Sequence, residues 1–180
     1  MKQAGDANND WVVSQRLLAA QSIDISLDAI QEKFDDLVWG ESGGSPLYLK
    51  EKFIGTLETL RRVAGNIPCA VVTGRPRRDA DSVLDRFQLR DLFPVVICME
   101  DAPAKPSREP VKRALQQLGV ERAWMFGDTP DDMVAAREAG VLPLGVLAPG
   151  TATEKTKQAL MTAGAVRVGI TWEDWVKRWS

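Results

Sequence analysis

Short apolar runs alternate with longer amphipathic segments from residue 67 onward, and this alternation constrains the fold more than any other feature. The apolar runs predict strands at 67–72, 93–98, 123–126, 141–147 and 166–170. The segments that follow carry apolar residues at helical spacing and predict helices at 77–87, 110–118, 131–139, 155–161 and 172–179. Such βαβ units wind into a parallel sheet with helices on both faces. The prediction is therefore an α/β, Rossmann-like fold.

The first 45 residues follow a different pattern. They predict two amphipathic helices, at 11–20 and 26–39, and no strand. Asn8, Asn9 and Asp10 precede the first helix, where they either form a capping turn or reach toward a ligand. The predicted organisation is a helical module at 1–45 followed by an α/β domain at 46–180.

Composition and charge exclude several functional classes. The chain contains no histidine, which excludes Ser-His-Asp and Cys-His nucleophile pairs and HExxH metal sites. A net charge of -2 without a basic run argues against nucleic acid as a partner. No apolar stretch is long enough to cross a bilayer, and the polar first residues are unlike a signal peptide. Cys69 and Cys98 lie in separate apolar runs, typical of buried, reduced thiols in a cytoplasmic protein.

Polar residues follow three of the predicted strands, at the edge where parallel sheets bind ligands. Thr73 and Gly74 follow the first strand, where a hydroxyl and backbone amides can bind a phosphoryl oxygen. Lys105 follows the second strand and could neutralise charge between a carboxylate and a phosphate. Asp128 and Asp132 follow the third strand, four residues apart, and Mg²⁺ prefers such oxygen ligands.

Each of these features also has a structural interpretation. A Thr-Gly pair at a strand end is often an ordinary turn, and a lysine in a loop with prolines is usually solvated. The two aspartates also suit the positive end of a helix dipole.

The order of the three motifs carries more information than each motif alone. Val-Val-Thr-Gly-Arg, Lys-Pro and Gly-Asp-Thr-Pro-Asp-Asp, in that order, resemble the second, third and fourth motifs of the haloacid dehalogenase superfamily. The surrounding sequence is similar to subfamily IA members with a helical cap, and the first 45 residues resemble the later part of that cap.

The resemblance implies a Mg²⁺-dependent phosphatase that hydrolyses a phosphomonoester of a small metabolite. Thr73 would bind the transferring phosphoryl group together with the Gly74 amide, and Lys105 would hold nucleophile and phosphate together. Asp128 would bind Mg²⁺ directly, and Asp132 would bind it directly or through water.

The first motif of the superfamily is not found in this sequence. It is an apolar strand that ends in Asp-x-Asp, whose first aspartate attacks phosphorus. The nearest candidate, Asp35-Asp36, lies inside a helical pattern. We therefore expect a core that lacks its first strand and a chain that is inactive by itself. The resemblance places that strand centrally, between the strands that end at Thr73 and Asp128, so two apolar edges should be exposed.

Two other functions stay open at this point. One is a non-catalytic module that binds ligands or partners, and the other is a phosphomutase of the same superfamily.

Overall fold

The structure is a computed structural model that describes residues 9–150, 152–171 and 174. The described residues form two compact units. A helical unit comprises Asn9–Ile54, and an α/β unit begins at Gly55. In the described residues, no helix is both long and apolar enough to cross a membrane.

The helical unit contains two α-helices and one short 3₁₀ helix. They are α1 (Asp10–Ala19), α2 (Leu27–Trp39) and the 3₁₀ helix Leu47–Lys50. The Trp11 ring packs edge-on against Phe34, with ring centroids 6.1 Å apart, which joins α1 to α2. The Trp39 and Tyr48 rings lie 5.0 Å apart, so the segment after α2 belongs to this unit. The unit consequently extends to Ile54, beyond the predicted end at residue 45.

Side-chain caps fix the starts of both helices. The Asn9 side chain accepts hydrogen bonds from the Trp11 and Val12 amides, and Ser26 accepts one from the Ala29 amide. These bonds satisfy amides that have no partner inside a helix. Asn9 therefore acts as a helix cap in this structure, while Asn8 lies outside the described residues.

The α/β unit alternates helices and strands along the chain. In order they are α3 (Leu57–Ala64), β1 (Ala70–Val72), α4 (Arg77–Arg86), β2 (Val95–Ile97), α5 (Glu109–Leu118), β3 (Trp124–Gly127), α6 (Pro130–Ala139), β4 (Leu142–Val146), α7 (Glu154–Thr162) and β5 (Arg167–Gly169). All strand pairs are parallel, which confirms the predicted Rossmann-like α/β fold. The helix predicted at 172–179 lies outside the described residues, apart from Asp174.

The strands form two separate sheets. One sheet has the order β1-β2, with Val72 opposite Ile97. The other has the order β3-β4-β5, with Phe126 opposite Leu144. Among the described residues, β1 is hydrogen-bonded to β2 but not to β3. The chain thus passes from the β1-β2 sheet to the β3-β4-β5 sheet, and no strand pairing in the described residues joins the two sheets.

Helices α5 and α6 hold the two sheets side by side. Val111 of α5 and the buried Ala135 of α6 share a cluster with Val72 of β1 and Met125 of β3. Small residues on α6 allow this close packing, because Ala135 and Ala136 are both fully buried. The carboxyl ends of β1 and β3 are thereby brought to the same end of the unit.

Candidate active site

Thr73 and Gly74 follow β1 directly, as the sequence predicts. The Thr73 amide donates to the Ile97 carbonyl oxygen at 2.9 Å, which continues the pairing with β2 by one residue. The Thr73 hydroxyl oxygen accepts a hydrogen bond from the Arg75 amide at 3.1 Å. The turn after β1 is therefore fixed at both sides of Thr73, and Thr73 and Gly74 are half-buried.

Lys105 is a buried cation that links two loops. Its side chain is 10% exposed, so the solvated alternative does not hold. The ammonium group donates to the Val72 carbonyl oxygen at 3.2 Å and lies 2.5 Å from Asp132 Oδ1. Lys105 thus contacts the end of β1 and the start of α6 at once.

Asp132 anchors the first turn of α6. Its Oδ2 accepts hydrogen bonds from the Asp128 amide at 3.2 Å, the Thr129 amide at 3.1 Å and the Thr129 hydroxyl at 2.8 Å. The Thr129 hydroxyl oxygen in turn accepts the Asp132 amide, which completes a capping box. The other oxygen, Oδ1, is buried and forms the ion pair with Lys105, but the geometry of that contact is not that of a hydrogen bond.

The position of the Asp132 side chain requires a glycine at residue 127. This requirement is not predicted from the sequence. A Cβ atom at residue 127 would lie 2.4 Å from Asp132 Cβ and 2.8 Å from Asp132 Oδ2. Any side chain there would push the carboxylate away from the Asp128 amide. The Gly-Asp pair of the motif is the signal that could have identified this residue.

Arg77 connects the loops that carry Thr73 and Lys105. Its amide donates to both carboxylate oxygens of Glu100, at 2.9 and 3.1 Å. Its guanidinium donates to the Val96 carbonyl oxygen at 3.0 Å and pairs with the Asp101 carboxylate. These partners lie about two dozen residues away along the chain, and sequence spacing gives no indication of them.

The carboxylates at the start of α6 suit one Mg²⁺ ion with an incomplete protein shell. Asp128 is exposed, and Asp132 Oδ1 is a buried oxygen that accepts no hydrogen bond from the described residues and is paired with the Lys105 ammonium group. No group of three or more His, Cys, Asp or Glu side chains suitable for a metal is found in the described part of the chain. Mg²⁺ commonly uses one or two carboxylates and completes its shell with water and phosphate oxygens. The donor set therefore fits Mg²⁺ but not a closed, all-protein metal site.

Two other candidate nucleophiles, Cys98 and Asp36, are unreactive or occupied. Burial raises the pKa of the Cys98 thiol to about 11, so it is protonated at neutral pH. Asp36, the nearest candidate for an attacking carboxylate in the sequence, accepts hydrogen bonds from the Lys33 ammonium and the Ser42 amide. These bonds lower the Asp36 pKa to about 2 and give the carboxylate a local structural role after α2.

Comparisons with known proteins show the family to which the chain is similar. The family model for haloacid dehalogenase-like hydrolases matches residues 23–146. An imidazoleglycerol-phosphate dehydratase from Phytophthora nicotianae is 43% identical over 158 residues, covering 83% of this chain and 35% of that protein. A phosphoglycolate phosphatase from Neisseria meningitidis is 36% identical over 83 residues, covering 44% of this chain and 35% of that protein.

A solved structure has a similar fold. A protein from Thermotoga maritima, provisionally named a β-phosphoglucomutase, has a TM-score of 0.69 and 25% identity, covering 90% of this chain and 74% of that one. The chain spans about a third of the length of the two curated relatives.

Proposed function

This chain belongs to the haloacid dehalogenase-like hydrolases, and we propose that it forms the phosphate-handling part of a Mg²⁺-dependent phosphomonoester hydrolase. The observation that carries the proposal is the contact of Lys105 with both the Val72 carbonyl oxygen and Asp132. It brings the ends of β1 and β3, with their polar residues, to one point. The substrate would be a phosphate ester of a small metabolite.

The names of the relatives support a phosphate ester as the substrate class. The two curated relatives are named for imidazoleglycerol phosphate and for phosphoglycolate, both of which carry a phosphate group. A phosphatase is favoured over a phosphomutase, because a curated relative that is 36% identical over 83 residues is named a phosphatase. Both cysteines are free thiols, which fits the proposal that the protein works in the cytoplasm.

Three groups would bind and orient the phosphoryl group. The Thr73 hydroxyl and the Gly74 amide lie at the turn after β1, where donors can converge on phosphoryl oxygens. Lys105 would place its positive charge between the phosphoryl group and an attacking carboxylate. Phosphoryl transfer depends mainly on positioning and charge stabilisation, so these residues suit that reaction.

Asp128 and Asp132 would hold the Mg²⁺ ion at the start of α6. When bound, Mg²⁺ would neutralise negative charge that develops on the phosphoryl group. Asp128 is the accessible ligand, and the buried Asp132 contributes Oδ1 beside Lys105. Because Asp132 Oδ2 accepts hydrogen bonds from the Asp128 and Thr129 amides, the Asp132 carboxylate is held at the start of α6.

We propose further that an attacking carboxylate comes from outside the described residues. Thr73 and Lys105 can position phosphate but cannot replace a carboxylate that forms a covalent intermediate. Loss of a nucleophile typically lowers turnover by several orders of magnitude. Residues 1–180 by themselves should therefore be inactive, and a longer protein that supplies the carboxylate should be active.

The experiment compares hydrolysis of p-nitrophenyl phosphate by residues 1–180 and by an N-terminally extended form, each with Mg²⁺ and with a chelator. We expect activity only in the extended form with Mg²⁺, and its loss in Asp128→Asn. Asp36→Asn is the matched control, since it removes a carboxylate from the helical unit. If residues 1–180 hydrolyse the ester as fast as the extended form, the proposed division of the site is wrong.

A further inference from the structure

We propose that the ion pair between Arg77 and Asp101 holds the Lys105 ammonium group in place. Arg77 is the first residue of α4, shortly after the turn at Thr73. Asp101 lies before Lys105 in the loop of residues 98–108, which we call the Lys105 loop. The pair would act on phosphate only through Lys105, so both of its members are positioning residues. Because the proposed function assigns Lys105 to the phosphoryl group, this role rests on that function.

The start of the Lys105 loop is tied to the turn after β1 by main-chain groups. The Met99 amide donates to the Arg75 carbonyl oxygen at 3.2 Å, and the Arg75 amide donates to the Thr73 hydroxyl oxygen at 3.1 Å. The Arg77 amide donates to both carboxylate oxygens of Glu100, at 2.9 and 3.1 Å. A continuous path of hydrogen bonds therefore connects the Thr73 hydroxyl with the first residues of the Lys105 loop.

Asp101 receives contacts from three parts of the α/β unit. Its carboxylate pairs with the Arg77 guanidinium of α4, and its Oδ2 accepts the Cys98 amide at 2.7 Å. The same guanidinium donates to the Val96 carbonyl oxygen of β2 at 3.0 Å. The Asp101 carbonyl oxygen accepts a hydrogen bond from the Arg113 side chain of α5. Hydrogen bonds between charged groups are stronger than neutral ones, so the Arg77 pair should be the firmest of these contacts.

Lys105 needs an accurately placed loop, because its two partners belong to different elements. Its ammonium group lies 3.2 Å from the Val72 carbonyl oxygen and 2.5 Å from Asp132 Oδ1. Groups of a binding site must be held within about 0.5 Å of their working positions. The segment between Asp101 and Lys105 is short and contains Pro103, whose ring restricts the backbone. Release of Asp101 should therefore displace Lys105 from one or both of its partners.

The first test measures binding of inorganic phosphate, with Mg²⁺ present, to residues 1–180 by NMR at the Gly74 amide. Arg77→Met removes the ion pair but keeps an apolar stem. It should raise the phosphate dissociation constant at least about tenfold, as loss of a group that orients a ligand usually does. Arg77→Lys keeps a cation with three donors and should stay within about threefold of the unsubstituted chain. An unchanged dissociation constant in Arg77→Met would overturn the proposal.

Arg90→Met is the matched control for a merely structural effect. Arg90 follows α4 and pairs with Asp81 and Asp85 of that helix, so its loss also removes ion pairs of α4. These pairs do not involve the Lys105 loop. Arg90→Met should therefore change the phosphate dissociation constant by less than about twofold, because exposed ion pairs contribute little. An equal loss of binding in Arg90→Met and Arg77→Met would show that binding follows the stability of α4, and would overturn the proposal.

The second test needs no phosphate. Proton exchange of the Lys105 ammonium group, followed by NMR, should become at least about tenfold faster in Arg77→Met, because a displaced ammonium group opens to water. Exchange should stay unchanged in Arg90→Met. Unchanged exchange in Arg77→Met would overturn the proposal whatever the phosphate titration gives. If the unsubstituted chain binds no phosphate, the proposed function fails, and the ammonium exchange then decides by itself whether the Arg77 pair positions Lys105.

Discussion

The ion pair between Lys105 and Asp132 should make the α/β unit sensitive to the loss of either side chain alone. Its two side chains are 10% and 6% exposed, and the charged atoms are 2.5 Å apart. At an effective dielectric constant of about 20 the attraction is roughly 6–7 kcal/mol. Desolvation of the two charges opposes this by several kcal/mol, so the net contribution of the pair is small. Removing one partner is different, because the other charge is left buried.

Asp132→Asn and Lys105→Met each leave one buried charge and should each lower the free energy of unfolding by about 3–5 kcal/mol. The asparagine oxygen can still accept the Asp128 and Thr129 amides, so Asp132→Asn isolates the loss of charge. Urea unfolding followed by circular dichroism should show the midpoint fall by about 1–2 M in each variant.

The double variant with Asp132→Asn and Lys105→Met tests whether the two charges are coupled. With both charges removed, the total loss should be smaller than the sum of the two single losses by at least about 2–3 kcal/mol. Single losses that add within about 0.5 kcal/mol would show that the two side chains are not coupled. That result would refute the central position given to Lys105.

Three further results are expected. Gly127→Ala should lower the free energy of unfolding by about 1–3 kcal/mol in urea, because the added Cβ would overlap Asp132; Gly44→Ala, whose Cβ would meet nothing within 4 Å, is the control and should change it by less than about 0.5 kcal/mol. Because burial raises the Cys98 pKa from 9.0 to about 11, the free energy of unfolding should fall as pH rises from 9 toward 11. Cys98→Ala should lack this fall in urea unfolding at the two pH values, and an equal fall in the variant would contradict the assignment. The lowered Asp36 pKa means that its hydrogen bonds persist until pH falls from 3.8 toward about 2; the Asp36 carboxyl carbon should titrate near that lower value by NMR, and a midpoint unchanged by Lys33→Met would argue against the Lys33 contribution.

The parallel sheet follows from sequence because apolar runs and helical periodicity are local signals. The ends of helices and strands are harder to predict from sequence. The first strand is predicted from residue 67 but begins at Ala70. Pro68 has no amide hydrogen for strand pairing, and Ile67 is 45% exposed. Helix α3 is not predicted by the alternation, and none of its eight residues is buried.

The site shows the same division between local and long-range signals. Strand ends indicate where Thr73, Lys105 and Asp128 lie, because parallel strands share a carboxyl edge. The capping box of Thr129 and Asp132 is also visible as a Thr-x-x-Asp pattern. The pairing of Arg77 with Asp101 depends on how two loops meet in space. Sequence spacing contains no information on such a contact.

We propose that the loops carrying Thr73, Lys105 and Asp128 form one phosphate and Mg²⁺ site. The most direct measurement is an NMR titration of residues 1–180 with inorganic phosphate in the presence of Mg²⁺. The amides of Gly74, Lys105 and Asp128 should shift with a single binding curve, and Asp128→Asn should remove the dependence on Mg²⁺. Shifts confined to one loop, or curves with different midpoints for the three loops, would contradict the claim.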